Sequence, residues 1–172
     1  TRPGSVLAGL LFNFIAAEML YSINSQLQHE QLSHTLEFDP HTPPLEKVTT
    51  FTDSVQLSNT IFADDLAFIN MDSDTDVLVQ RTRRTMEIIH NHAQARFLTI
   101  NYKPGKTTAL FNFTGAGSRN AKLLLYKDND HKVTLFKDSQ APIHMHTCQQ
   151  YDHLGGTIAL QGKIIKTILK LS

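Results

Sequence analysis

Tryptophan is missing from these 172 residues, and Cys148 is the only cysteine. One cysteine cannot close an internal disulfide, and a four-cysteine zinc site is excluded. The usage fits a reducing, intracellular compartment, nuclear or cytoplasmic. No charge sign dominates: 16 Lys plus Arg balance 16 Asp plus Glu. A protein that tracks nucleic acid alone usually carries a basic surplus, so neutrality argues against a stand-alone nucleic-acid binder. No apolar run reaches the roughly 20 residues that span a bilayer. The longest, residues 6–17, is interrupted by Asn13 and preceded only by Arg2, a weak start for a signal peptide. The chain opens at Thr1 rather than Met, and a buried helix at a truncated N-terminus accounts best for that run. Repeats and low-complexity tracts are absent as well.

What is present is a globular composition, 41% hydrophobic and 19% charged, long enough for one domain with a real core. Leu7, Leu10, Leu11, Phe14 and Ile15 recur at helical spacing, so residues 5–28 read as a helix. Asp39-Pro40 and Pro43-Pro44 mark a loop over 37–44. Segments 45–51 and 56–62 are strand-like, and the second meets an acidic turn followed by the apolar run 66–69, a hairpin pattern. Residues 74–95 read as a second helix, with Leu78, Thr82, Thr85, Met86, Ile89 and Ala93 as its buried stripe. Asp72, Ser73 and Asp74 suit its N-terminal cap. Strands are expected over 107–113, 121–126, 132–136 and 143–148. Residues 151–158 hold a strand and a turn at Gly155-Gly156, and 162–171 reads as a short helix or frayed tail. The order predicts an α+β fold, an antiparallel sheet with helices packed on one face, and no domain boundary is evident.

The strongest chemical signal is Phe62-Ala63-Asp64-Asp65-Leu66-Ala67-Phe68-Ile69. Adjacent carboxylates between apolar strands are unfavourable unless a cation neutralises them. Oxygen ligands suit magnesium, and two-metal phosphoryl transfer uses such carboxylates. The plain alternative is a polar turn, since aspartate is common in turns. Other patterns are weaker. Residues 100–107 end like a phosphate-binding loop, but Ile100 stands where the first glycine belongs. Asp72, Asp74 and Asp76 suggest a calcium loop, but Val77 and Arg83 occupy the Gly and Glu positions, so capping is the better reading. His144, His146 and Cys148 alternate along one strand without a nearby fourth ligand, which favours an exposed strand face over zinc. His90 and His92 do not share a helix face. Gly115-Ala116-Gly117-Ser118 reads as a turn. Arg81, Arg83 and Arg84 read as a solvated face rather than a nucleic-acid contact.

Context lifts the acidic turn above the plain reading. Phe62-Ala63-Asp64-Asp65 resembles the aromatic-Ala-Asp-Asp box of reverse transcriptases. Arg2-Pro3-Gly4-Ser5-Val6-Leu7-Ala8-Gly9-Leu10-Leu11-Phe12-Asn13 is similar to the family's upstream loop-and-helix box. Residues 98–107, with Leu98, Asn101, Lys106 and Thr107, resemble its Leu-x-x-Asn-x-x-Lys-Thr box. Tyr151-Asp152-His153-Leu154-Gly155 resembles its primer grip. The four boxes follow the family's order, and the Leu-Gly grip is of the non-LTR (LINE-like) retrotransposon type. The resemblance implies a partial polymerase palm over 1–158, with 159–172 starting a thumb or connecting helix. The fingers and the first palm strand, which bears another metal-binding Asp, are not among these residues. Asp64 and Asp65 would bind Mg2+ or Mn2+, and Lys106, less so Lys103, would neutralise the departing pyrophosphate. Arg2, Gly4, Phe62, Ala63 and Asn101 would line the nucleotide and template site, and Leu154 and Gly155 would position the primer. The implied partners are an RNA template, a DNA primer, deoxynucleoside triphosphates and the rest of the parent chain, with no membrane. Ser5 and Val6 depart from the family pattern, since a proline is usual at the second position. Without the upstream Asp and the fingers, the isolated chain is expected to be inactive. The rival expectation is a decayed retroelement remnant that binds nucleic acid or protein at most. A minor third is a metal-dependent hydrolase using Asp64, Asp65 and His144 or His146.

Overall fold

The computed structural model describes residues 6–39, 53–56, 60–62, 65–137, 141–153 and 156–159. The expected strand 45–51 and the expected helix or tail 162–171 lie outside them. Among the described residues, three α-helices and nine short strands make a mixed α+β chain. Its contacts divide it into two compact units, Thr1–Met71 with Asn91–Phe97, and Asp72–His90 with Leu98–Ser172.

The first unit opens with α1, Val6–His29. Ala16, Met19, Ile23 and Leu27 are its buried residues, a 3–4 spacing that keeps one stripe inward. From the sequence, the apolar run 6–17 is expected to be a buried helix. That expectation is wrong: Leu7, Leu10, Leu11, Phe14 and Ile15 are all exposed, Phe14 by 66%. These side chains share one face of the helix at i, i+3, i+4, i+7 and i+8 spacing, but Ala16, Met19, Ile23 and Leu27 lie on a different face, and that is the one buried. By length and composition alone, Leu7–His29 is apolar enough to cross a membrane. Two hairpins follow. In the first, β1 (Thr35–Phe38) pairs antiparallel with β2 (Asp53–Gln56), strands that the sequence reading did not place. In the second, β3 (Thr60–Phe62) pairs antiparallel with β4 (Asp65–Ala67).

Helix α2, Thr75–Gln94, supplies both units. Its start is fixed by Asp74, whose Oδ1 accepts the N–H groups of Asp76 at 2.8 Å and Val77 at 3.0 Å. Those donors would otherwise lack partners in the first turn. Within the first unit, the C-terminal end of α2 meets α1 through polar groups. His92 Nε2 lies 2.8 Å from Gln26 Oε1, and Arg96 donates to Ser22 Oγ at 2.9 Å. The expected stripe on α2 holds at Thr85, Ile89 and Ala93, while Leu78, Thr82 and Met86 are half-buried; Ile88 and His90 are buried in addition.

The second unit is built on a three-stranded sheet ordered β5 (Thr108–Leu110), β7 (Ile143–Cys148), β6 (Lys132–Leu135). The expectation of one antiparallel sheet is corrected here, because β5 runs parallel to the central β7, and the remaining strands form separate pairs. Alternation along the strands puts Val133, Leu135, Met145 and Thr147 inside. Val133 lies opposite Met145. Phe111 and Phe113 stack at 5.2 Å and join Ala109, Ala121 and Leu125 in this core. A second correction concerns 121–126, expected as a strand. Ser118–Leu123 is a helix, α3, that widens into one π turn over Leu124–Asp128. Ala121 and Leu125, four apart, are buried together while Leu123 and Leu124 are exposed, which is a helical pattern and not a period of two. Gly117, at φ +81°, makes the left-handed turn into it. Finally β8 (Gln150–His153) and β9 (Gly156–Ala159) form a hairpin. Gly156 pairs with His153 inside this ladder; Gly155, the other residue of the expected turn, lies outside the described residues.

Candidate active site

The acidic box sits on the β3–β4 hairpin. Its register is Thr60 with Ala67, Ile61 with Leu66, and Phe62 with Asp65. The ladder therefore closes on Phe62 and Asp65, and only Ala63 and Asp64 separate them in the chain. Two residues between paired strands is the shortest common hairpin connection. Ala63 and Asp64, and the side chains of Phe62 and Asp65, lie outside the described residues. So do Arg2, Gly4, Leu154 and Gly155. Leu154 and Gly155 join β8 to β9 in sequence just as Ala63 and Asp64 join β3 to β4.

Asn101 and Lys106 belong to the second unit, on the segment between α2 and β5. Asn101 organises that segment. Its Oδ1 accepts the Lys103 N–H at 3.1 Å, and its main-chain oxygen accepts the Thr107 N–H at 3.1 Å. Lys106 N–H donates to Lys103 O at 3.1 Å across a turn in which Gly105 adopts φ +75°. The result is a closed loop on which Lys103 and Lys106 are exposed, where strongly hydrated ammonium groups suit an anionic partner. Thr99, Ile100, Asn101, Tyr102 and Lys103 line an open depression of about 640 Å³. A strand, β5, follows the loop, whereas a phosphate-binding loop opens a helix.

The sequence reading passed over one group beside this loop. Tyr102 reaches back to α2, its hydroxyl 3.1 Å from His90 Nδ1. Burial pushes the Tyr102 phenol up to about 12 and the His90 imidazole below its usual 6.5. The signal available in the sequence was an aromatic residue between Asn101 and Lys103, in a stretch otherwise made for a turn.

Other candidates resolve into structural roles. Asp72 Oδ1 accepts the Asp74 N–H at 3.0 Å, and the Asp72 carboxylate lies 3.8 Å from Arg81. Arg83 and Arg84 both lean on Glu87, at 3.7 and 3.5 Å, with their side chains still partly in solvent. His144 Nδ1 lies 3.2 Å from Thr134 Oγ1, and Cys148 Sγ lies 3.3 Å from Thr108 Oγ1. Among the described residues, no group of three or more His, Cys, Asp and Glu is arranged to hold a metal ion. Searches against family models, curated proteins and solved structures find no match to this chain.

Proposed function

We propose that this chain is part of an RNA-directed DNA polymerase of the non-LTR type, whose parent protein adds deoxynucleotides to a primer. The observation that carries the reading is the β3–β4 register. In an aromatic-Ala-Asp-Asp sequence, the ladder closes on the backbone of Phe62 and Asp65, and Asp64 directly precedes Asp65 in the chain, the pair of acids that two-metal phosphoryl transfer uses. The donor chemistry fits a hard divalent cation, because carboxylate oxygens are the ligands magnesium prefers. Asp64 and Asp65 would hold it, and when bound it supplies charge neutralisation at the reacting phosphate.

The chain's own residues then orient and neutralise. Backbone pairing with Phe62 anchors Asp65 at the first position of β4. Lys106, exposed on its closed loop, would balance charge on the departing pyrophosphate. Asn101 holds that loop in shape through its side chain and its main-chain oxygen. Leu154 and Gly155 would contact the primer end. The rival reading, a remnant acting only as a binding module, draws on the exposed apolar side chains of α1, since such surface often marks an interaction site.

RNA-templated primer extension tests the proposal, with the chain extended upstream along its parent reading frame to restore a carboxylate-bearing strand. Nucleotide addition in magnesium, reduced about tenfold or more by Lys106→Ala, is the expected result. A well-folded extended chain that adds no nucleotide in either magnesium or manganese contradicts it and favours the remnant.

A further inference from the structure

The segment 98–107 has no helix or strand of its own until Thr108. Three local hydrogen bonds shape it, Lys103 N–H to Asn101 Oδ1, Lys106 N–H to Lys103 O, and Thr107 N–H to Asn101 O. Tyr102 ties it to the rest of the second unit. Its ring packs against the core, and its hydroxyl meets His90 Nδ1 at 3.1 Å. His90 is 9% exposed, with ring centroids 5.8 Å from Tyr102 and 5.2 Å from Phe136. Phe136 is itself fixed, at φ +50° and with its N–H donating to Glu87 Oε1 at 3.0 Å.

We infer that the His90–Tyr102 pair is a latch that fixes the 98–107 loop to α2, and that it opens when His90 takes up a proton. A neutral imidazole fits between two aromatic rings beside a phenol, whereas an imidazolium there loses hydration without gaining a counter-ion. The groups around it supply none. On α2 itself, the nearby charges are Arg83, Arg84 and Glu87, and both arginines lie against Glu87. From the loop comes Tyr102, with exposed Lys103 beside it. From the end of β6 comes Phe136, followed by exposed Lys137. Uptake of a proton therefore weakens the packing that holds the loop. In the polymerase reading, the loop carries Asn101 and Lys106, so the latch would set their order. The latch itself does not depend on that reading, and its test uses no enzymatic activity.

The test is an NMR pH titration of the full 172-residue chain, following the His90 ring and the Lys106 and Thr107 amides. His90 should titrate below 6.5, and amide protection in the loop should fall with the same midpoint. His90→Gln should abolish that step, and Tyr102→Phe should lower loop protection at pH 7.5 about fivefold, the effect of one lost hydrogen bond. Loop amides that ignore the His90 midpoint, or a step that survives in His90→Gln, overturn the latch. If His90→Gln does not fold, the wild-type titration and Tyr102→Phe decide alone.

Discussion

Asp74 and Gly105 each do one identifiable thing, which makes them clean probes. Asp74 Oδ1 takes two orphan N–H groups at the start of α2. Asp74→Ala should therefore cost about 1 kcal/mol of stability, while Asp74→Asn, which keeps an acceptor, should cost less. Gly105 sits at φ +75° with open space where a Cβ would go. The penalty of Gly105→Ala is thus conformational, about 1 kcal/mol, with no clash added. Chemical denaturation of the three variants checks both statements. His90 and His92 give a pH dependence. Burial holds both below 6.5, and Arg96 adds to the effect at His92. The unfolded chain binds these protons first, so stability is complete above about pH 6.5 and declines as pH falls toward the lowered folded values. The urea midpoint should drop between pH 7.5 and 5.5; a midpoint that stays level or rises contradicts this.

At the scale of elements, the sequence was informative where local chemistry alone decides. Helix α2 announced itself through Asp72, Ser73 and Asp74 and through its apolar stripe. The β3–β4 hairpin announced itself through apolar runs on either side of two acids. Residues 121–126 misled, because Ala-Lys-Leu-Leu-Leu-Tyr is a short apolar run whose period does not separate helix from strand. Packing of Ala121 and Leu125 into the core decided it. Lys122→Pro discriminates between the two: in a helix interior it should cost about 3 kcal/mol, whereas an exposed edge strand would tolerate it. The parallel pairing of β5 with β7 joins residues about 40 apart and leaves no local trace in the sequence. On α1 the reading found a helix but not its buried face, since apolar residues crowd both halves. Leu10→Gln with Phe14→Gln should change stability by less than about 0.5 kcal/mol each and raise soluble yield. Ile23→Ala, fully buried in the same helix, should cost about 2–4 kcal/mol. Thermal melts that reverse this order would refute the assignment of the buried stripe.

For the molecule as a whole, the candidate residues fall in separate compact units. Phe62 and Asp65 belong to the first compact unit, Asn101 and Lys106 to the second. The resemblance to the reverse transcriptase boxes rests on four short strings of residue types in a fixed order. Such strings carry no information about how the segments meet in space. Zero net charge also predicts weak, salt-sensitive binding of the 172-residue chain to RNA. The decisive measurement is magnesium-dependent extension of a primer on an RNA template by the upstream-extended parent chain, run beside its Asp64→Ala, Asp65→Ala variant. The account predicts extension by the first and a loss of at least about a hundredfold in the second, the scale expected when charge stabilisation at the reacting phosphate is removed. Equal extension by both proteins would show that these two aspartates are not the catalytic pair.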